Sequence, residues 1–452
     1  MNVIVIMTDS MRVDHLGCYG NTWIKNPNID KLASEGTVFE RAYSEGLPTM
    51  PARTALFTGR YTFPFRGWQP VDSTDILLSE VVSSIHTTAL IGDEMPRFTG
   101  FSRGFDYVER VRSTGGVKVD ISHYHEKNGF RGQYVIEKSS EEYAVAQVVK
   151  AGIKWLESRN NEENWFLWLD CFDPHEPWNP PPPYDKMYTD PRYTGLKIIV
   201  PDIGERSRRG EASYFTEDET RHIRALYAGV VTLVDEWLGV FLNRVKDLGF
   251  WENTLIIYLS DHGEPLGEHG IIRKTRPWPY EELSHIPLII RHPEGIGKGK
   301  RVDAFVDTTD IMPTILDFLR ILESGIPEGV PMPQIRRVKP LTMHGHSLLP
   351  LLSGEIERVR DYAYSGYYKS SWSIRNEQYS FYLWRGPRSF KTQPELYRFT
   401  GRMRTPKPEE YDLERDLFEK DNLINKEPQI ADFLELQLRR FVDNLTQASE
   451  AP

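Results

Sequence analysis

Three short, uninterrupted apolar runs most strongly limit how this chain can fold. They occupy residues 3–7, 165–169 and 254–259, and each is followed by polar residues. A strand that is apolar on both faces is typical of a parallel sheet covered by helices on both sides. Helical patterns separate the runs, so the sequence predicts an α/β fold: a large, mostly parallel sheet flanked by helices on both faces.

The helical patterns carry recognisable start and stop signals. Residues 27–36 predict a short helix with Gly36 just past its end, and residues 142–155 predict a second helix. A third helix should begin at the capping box formed by Thr216 and Glu219. Behind that box, apolar residues recur at helical spacing until residue 249.

The character of the sequence changes after about residue 355. Residues 362–384 alternate in the period-2 manner of a half-buried strand and are rich in Tyr and Trp, and residues 429–444 predict a last helix. We therefore expect a larger α/β domain over residues 1–355, which carries the polar clusters considered below. A smaller C-terminal α+β subdomain with an antiparallel sheet should cover residues 356–452.

Composition excludes several classes of partner. The 55 basic and 65 acidic residues give a net charge of −10, which argues against a nucleic-acid-binding surface and against an anionic membrane. Two cysteines cannot supply a disulfide framework. No run approaches the ~20 apolar residues of a membrane span, and the N-terminal run is too short for a signal peptide. We expect a cytoplasmic protein with no membrane partner.

Polar clusters follow the predicted strands. Asp9 follows the first strand, Asp261 and His262 follow the run at 254–259, and Asp173 with His175 lies just beyond the run at 165–169. Ligands of open α/β sheets collect at the carboxyl ends of strands. A single Asp at a strand end is usually a turn former. The combination of carboxylates and imidazole favours a metal site.

A fourth cluster lies at residues 49–60. Proline is tolerated in a first helical turn, so Thr49 is predicted at the N-cap, with Arg53 one turn further on. Seen in isolation, this pattern indicates no more than a capped helix. A functional interpretation uses the helix N-terminus as an anion site, with the Thr49 hydroxyl facing an oxyanion and Arg53 donating charge-assisted hydrogen bonds.

Taken together and in order, these motifs resemble the sulfatase branch of the alkaline phosphatase superfamily, over nearly the whole chain. The matching segments are residues 14–21 (DHLGCYGN), 27–36, 49–60 (TMPARTALFTGR), 173–177 (DPHEP), 260–270 (SDHGEPLGEHG) with Lys274, 280–288 and 411–423. The resemblance implies an alkaline phosphatase-like fold and one divalent metal ion (Mn, Zn or Ca). It also implies a metal-ligand set of Asp9, Thr49, Asp261 and His262.

The departures from the family pattern bear on mechanism. Sulfatases have at the Thr49 position a Cys or Ser that is oxidised to formylglycine. Threonine cannot form that aldehyde, because its β-carbon already carries a methyl group, so no formylglycine is expected. Ser10 stands where a second metal-binding aspartate is usual, and His262 stands where Asn is common. The segment at residues 92–95 (GDEM) lacks the two cations that often grip sulfate.

These departures favour phosphorus esters. A formylglycine hydrate releases sulfate by collapsing to the aldehyde, whereas a Thr ester must be hydrolysed at its central atom, as phosphoryl enzymes do. The site pattern is similar to that of phosphonate monoester hydrolases and phosphodiesterases. We therefore expect a small anionic ester substrate that Thr49 attacks to form a phospho-threonine. Arg53 and Lys274 would neutralise its oxygens, and His175 would lie near the leaving group as donor or acid.

Other interpretations stay open at this stage. The chain could be a sulfatase that acts without formylglycine, a transferase that hands the phospho-threonine group to an alcohol, or a catalytically inactive sulfatase-like binding protein. A second metal would need further ligands, for which His269 and His285 are candidates, and His123 with His125 could line the pocket. The resemblance also allows for a homo-oligomer.

Overall fold

The computed structural model describes residues 1–93, 99–111, 139–159, 162–201, 215–274, 276–321, 342–386, 393–398, 419 and 421–450. The strands within these ranges are β1 Asn2–Thr8, β2 Thr37–Tyr43, β3 Thr87–Gly92, β4 Tyr107–Arg110, β5 Trp165–Cys171, β6 Thr254–Ser260, β7 His285–Ile286, β8 Leu288–Arg291, β9 Arg301–Asp307, β10 Ala363–Tyr367, β11 Ser371–Arg375, β12 Tyr379–Trp384 and β13 Glu395–Arg398.

The α-helices within the same ranges vary from one turn to 31 residues. They are α1 Pro27–Glu35, α2 Thr49–Thr58, α3 Leu78–Val82, α4 Ala144–Glu157, α5 Glu217–Asp247, α6 Glu281–Ser284, α7 Ile311–Phe318, α8 Leu349–Ser353 and α9 Pro428–Glu450.

The large sheet has nine strands in the order β4-β3-β5-β1-β6-β8-β2-β7, with β9 paired to β2. Its central strands β3, β5, β1 and β6 are parallel, as the apolar runs predicted. The sheet becomes mixed beyond β6, because β8 pairs antiparallel with both β6 and β2. The predicted α/β fold is confirmed, with antiparallel strands on one side of a parallel centre.

Both faces of this sheet are buried, and the side chains of β1 show why its run is continuously apolar. Ile4 and Ile6 point into a core shared with α1, α4 and α5. Val3, Val5 and Met7 point into the opposite core, shared with α2, α3 and α7. Because successive side chains of a strand alternate between faces, a strand covered on both sides needs apolar residues at every position.

Helix α5 is the longest in the described chain. By length and apolar composition alone it could cross a membrane, but 83% of its apolar window is buried inside the protein. That burial is typical of a core helix, and α5 packs on α1 and α4.

The start of α5 offers a stability test. The Thr216 hydroxyl accepts a hydrogen bond from the Glu219 amide at 3.2 Å, and the Glu219 carboxylate accepts one from the Thr216 amide at 2.9 Å. Thr216→Ala should lower the free energy of unfolding by about 1 kcal/mol, because an orphan amide loses its cap. Urea denaturation measures the change, with the exposed Thr194→Ala as control. Equal midpoints for both variants would contradict the capping role.

The smaller sheet orders β10-β11-β12-β13, all antiparallel, as predicted for the C-terminal part. It packs against α9 through a third core that includes Ile374, Phe381, Leu434 and Leu438. The boundary at residue 355 stays a prediction.

Strand β10 reaches across to the loop that precedes α2. Gly46 and Gly366 form a parallel bridge, in which the Leu47 amide donates to the Gly366 carbonyl at 2.9 Å and the Gly366 amide donates to the Glu45 carbonyl at 2.8 Å. A Cβ at Gly46 would lie 2.0 Å from the Thr62 hydroxyl, so glycine permits this close approach. We name this contact the β10 bridge.

Candidate active site

The parallel register of β1 and β6 brings two aspartates to the same edge of the sheet. Thr8 lies opposite Ser260, so Asp9 and Asp261 leave the sheet side by side. The Asp261 amide donates to the Thr8 carbonyl at 3.1 Å, which joins the segments that follow β1 and β6. This edge is where ligands of such sheets bind.

Asp9, Asp261 and His262 form a buried cluster whose ligand atoms all lie within 4.8 Å of one another. Each of the three residues is completely inaccessible to solvent. The Oδ1 atoms of both aspartates lie 3.7 Å from His262 Nε2. It is the one such group of three or more metal-ligating side chains in the described ranges, so a second metal with His269 or His285 gains no support there.

The state of His262 suits it to bind a metal. Its Nδ1 is 2.7 Å from the Gly263 carbonyl, so that nitrogen carries the proton and Nε2 presents its lone pair to the aspartates. Burial, reinforced by Lys274, lowers the pKa of His262 to about 3, which keeps the ring neutral. Burial and the Asp9 charge raise the pKa of Asp261. Two carboxylates and a neutral imidazole therefore fit a divalent cation, whose charge would relieve this repulsion.

Thr49 is the first residue of α2, and the N-cap is Pro48. The predicted N-cap at Thr49 is therefore wrong by one residue. The Thr49 Oγ1 lies 3.0 Å from His262 Nε2. Thr49 is only partly buried, so its hydroxyl stands between the buried cluster and the outside. That position suits both a fourth ligand and a nucleophile.

Arg53 lies one helical turn behind Thr49, and its charge is directed at protein carboxylates. Its Nη1 donates to Asp170 at 2.9 Å, its Nη2 to Asp9 at 3.1 Å and its Nε to Asp261 at 3.3 Å. Its side chain is 3% exposed. Arg53 thus balances the acids beneath the metal cluster. The predicted contact of Arg53 with substrate oxygens stays a prediction.

Lys274 supplies the cation on the other side of the cluster. Its Nζ donates to Ser10 Oγ at 2.7 Å and to Asp9 Oδ1 at 3.3 Å, and its side chain is 12% exposed. Burial alone would lower the pKa of Lys274, but Asp9, Glu264 and Glu176 outweigh burial and raise it. Ser10, in left-handed backbone geometry (φ 69°), also donates to Asp9 Oδ1 at 2.9 Å. The residue in place of a second aspartate therefore links Lys274 to Asp9.

His175 approaches the same cluster from the loop after β5. Its ring stacks on Phe172 with centroids 4.0 Å apart, and its Nδ1 lies 2.8 Å from the Glu176 carbonyl. Burial, followed by Lys274, lowers the pKa of His175, while Glu176 and Asp9 act in the opposite direction. The structure thus brings His175 and Lys274 close enough to Asp9 for their charges to interact.

The structure adds acids that the sequence interpretation missed. Asp170 is the sixth residue of β5 and a partner of Arg53. Glu264 is fully buried with its Oε2 3.6 Å from Lys274 Nζ, and burial raises its pKa to about 7. Tyr367, at the end of β10, interacts electrostatically with Glu264. Glu264 belongs to the quoted DHGE segment, so its place in the motif was the available signal.

Several predicted features lie elsewhere. His269 is 2.8 Å from Glu282, and His285 is 2.8 Å from the Glu40 carbonyl. His123, His125, residues 94–95 and residues 411–418 of the C-terminal motif lie outside the described residues. Asp93, the described member of the 92–95 segment, is buried and accepts a hydrogen bond from the Phe172 amide at 3.0 Å.

Comparisons with known proteins agree with this fold and site. The profile of the family described as Sulfatase matches residues 1–321, and the profile described as N-sulphoglucosamine sulphohydrolase, C-terminal, matches residues 267–447. An arylsulfatase of Clostridium perfringens is 26% identical over 480 residues, covering 94% of this chain and 90% of that protein. The multifunctional alkaline phosphatase superfamily protein PehA of Trinickia caryophylli is 28% identical, covering 70% and 73%.

A solved structure shares the whole architecture. The phosphonate monoester hydrolase of Agrobacterium radiobacter aligns with a TM-score of 0.72 at 22% identity, covering 98% of this chain and 96% of that one. The fold and the cluster at its sheet edge define a hydrolase of the alkaline phosphatase superfamily, whose members use a divalent metal ion. Within that class, the chain belongs to the sulfatase family.

Proposed function

We propose that this protein is a metal-dependent hydrolase of phosphodiesters or phosphonate monoesters, with Thr49 as nucleophile. The observation that carries the proposal is the position of the Thr49 hydroxyl. It lies 3.0 Å from His262 Nε2, on a residue that is only partly buried. A threonine there cannot become an aldehyde, so turnover needs attack of water on the central atom of the ester. Phosphoryl groups on oxygen undergo this hydrolysis readily.

Asp9, Asp261, His262 and Thr49 would hold the cation. A divalent ion at this position lowers the pKa of the Thr49 hydroxyl and offsets charge on the substrate oxygens. The imidazole ligand favours Zn²⁺ or Mn²⁺ over Ca²⁺, which prefers an all-oxygen set.

The chain's own residues account for the rest of the reaction. Thr49 Oγ1 releases its proton to solvent and forms a bond to phosphorus as the bond to the leaving oxygen breaks. His175 first takes up a proton from solvent on Nε2 and then donates it to that oxygen, and the alcohol departs. Lys274 stabilises the negative charge on the remaining oxygens. Water then attacks phosphorus, Thr49 leaves with a proton, and the acid product departs.

A paired assay tests the proposal. Enzyme stripped by a chelator should lose at least ~10³-fold in kcat/KM, because the cation supplies several kcal/mol of charge stabilisation. Zn²⁺ or Mn²⁺ should restore activity, with Ca²⁺ as comparison. The substrates are bis-p-nitrophenyl phosphate, p-nitrophenyl phenylphosphonate, p-nitrophenyl phosphate and p-nitrophenyl sulfate. We expect the diester or the phosphonate to be cleaved best.

Other outcomes point to the alternatives. Dominant cleavage of the sulfate would overturn the preference for phosphorus and favour a sulfatase without formylglycine, which the arylsulfatase relative makes the second candidate. Transfer of the group to an added alcohol would indicate a transferase. Absence of metal binding would favour an inactive binding protein. The cytoplasmic location and the homo-oligomer stay predictions.

A further inference from the structure

His175 is held on one ring face and along one ring edge. Phe172 stacks on it at 4.0 Å with an interplanar angle of 25°, and Asp93 holds the Phe172 amide at 3.0 Å. The His175 Nδ1 donates to the Glu176 carbonyl at 2.8 Å. Because Nδ1 keeps its proton in this bond, Nε2 of the neutral ring carries the lone pair, and a proton that Nε2 takes up is the one the ring can pass on. The 17% of the side chain that remains exposed gives solvent or substrate access.

The Glu176 carboxylate lies beside the same ring nitrogen. Its Oε2 is 3.1 Å from His175 Nδ1, and the residue is 6% exposed. Its Oε1 forms an ion pair with Arg273, the residue before Lys274. Arg273 also donates to the Pro201 carbonyl at 3.2 Å. One carboxylate therefore connects the His175 ring to the segment that carries Lys274.

We propose that Glu176 is a positioning residue for His175, holding its ring and stabilising its protonated form so that Nε2 can donate to the leaving group. This inference rests on the proposed function, because it assumes that His175 acts on a departing oxygen. A carboxylate within contact distance of Nδ1 favours the imidazolium electrostatically. The Glu176 carbonyl, the Phe172 ring and the Glu176 carboxylate together fix the imidazole. This keeps Nε2 aligned with the leaving oxygen during proton transfer.

The leaving group provides a readout that a purely structural role would not move. A good leaving group such as p-nitrophenol departs without a proton, whereas a poor one such as an alkyl alcohol needs one. His175→Ala should cost a few-fold with the p-nitrophenyl ester and ~100-fold or more with the methyl ester of the same acid. Glu176→Gln should follow the same trend, with a loss of ~10-fold for the methyl ester and little change for the p-nitrophenyl ester.

The double variant and a control complete the test. His175→Ala with Glu176→Gln should be no slower than His175→Ala alone, because the carboxylate acts through the ring. Glu141→Gln, which removes an exposed partner of Lys150, should leave both rates unchanged. The measurement is kcat/KM for each variant with each ester assayed separately. The melting temperature of each variant shows whether it is folded.

Two results would overturn the inference. An equal loss for both leaving groups in Glu176→Gln would mean that Glu176 supports the fold and not the proton transfer. Additive losses in the double variant would mean that Glu176 acts independently of His175. Failure of the proposed function can be distinguished from failure of this inference, because it would appear as activity that survives in Thr49→Ala.

Discussion

Thr49→Ala should lower kcat/KM by ~10⁴-fold or more, the largest catalytic effect we expect from one substitution. Alanine removes the oxygen that attacks phosphorus, while the cluster of Asp9, Asp261 and His262 and the charge of Lys274 stay in place. The residual rate then reflects direct attack by water on a bound substrate, and loss of a covalent nucleophile is commonly this severe.

Two companion variants make the Thr49 result specific. Thr49→Ser keeps a hydroxyl at the same position and should retain activity within ~10-fold of the wild type. Thr54 lies in the same helix, and its hydroxyl donates to the Met50 carbonyl at 2.9 Å. Thr54→Ala should therefore change the rate only slightly. Acid-quenched enzyme should carry a phosphoryl group on the Thr49 peptide by mass spectrometry. Near wild-type rates in Thr49→Ala would rule out the nucleophile.

Arg53→Ala should destabilise the fold by about 3–5 kcal/mol, the largest stability effect we expect. The guanidinium contacts the buried carboxylates of Asp9, Asp170 and Asp261. Its loss removes the cation contacts described for Asp170 and Asp261 and leaves Asp9 with Lys274. Burial already raises the pKa of Asp170 to about 6 with the arginine present. Without that cation, repulsion among the three acids would work against folding.

Denaturation of metal-free enzyme measures the effect of Arg53→Ala. Arg439→Ala is the control, because Arg439 makes an exposed pair with Glu435 and should cost about 0.3–0.5 kcal/mol. Added Zn²⁺ or Mn²⁺ should recover more stability in Arg53→Ala than in the wild type, since the cation then balances a larger negative charge. A loss below about 1 kcal/mol would show that these acids are protonated or hydrated in the folded protein.

The sequence was sufficient for the parts of the site that depend on local pattern. A continuously apolar strand followed by Asp identifies the edge of a parallel sheet, so Asp9 and Asp261 could be placed there before their register was known. Helix-start signals likewise placed the helix that carries Thr49, although its N-cap is Pro48, one residue earlier than predicted. Pro48 occupies the N-cap, and the Thr49 hydroxyl lies beside His262.

Pairings between distant elements could not be predicted in this way. Asp170 directly follows the apolar run at 165–169, so its place near the sheet edge had the same local signal, but its partner Arg53 depends on the parallel pairing of β5 with β1. Likewise, the ion pair of Glu176 with Arg273 joins two loops whose approach depends on the whole sheet. Local periodicity contains no information on such contacts, which are set by tertiary packing.

The β10 bridge makes the C-terminal sheet part of the support of Thr49. It joins the backbone just before Thr49 to a sheet that is distant in the sequence, and Tyr367 at the end of β10 interacts electrostatically with Glu264. Exchanging the C-terminal sheet between relatives would therefore alter the immediate surroundings of the nucleophile. We therefore expect changes in that sheet to affect the Thr49 site without altering the reacting groups themselves.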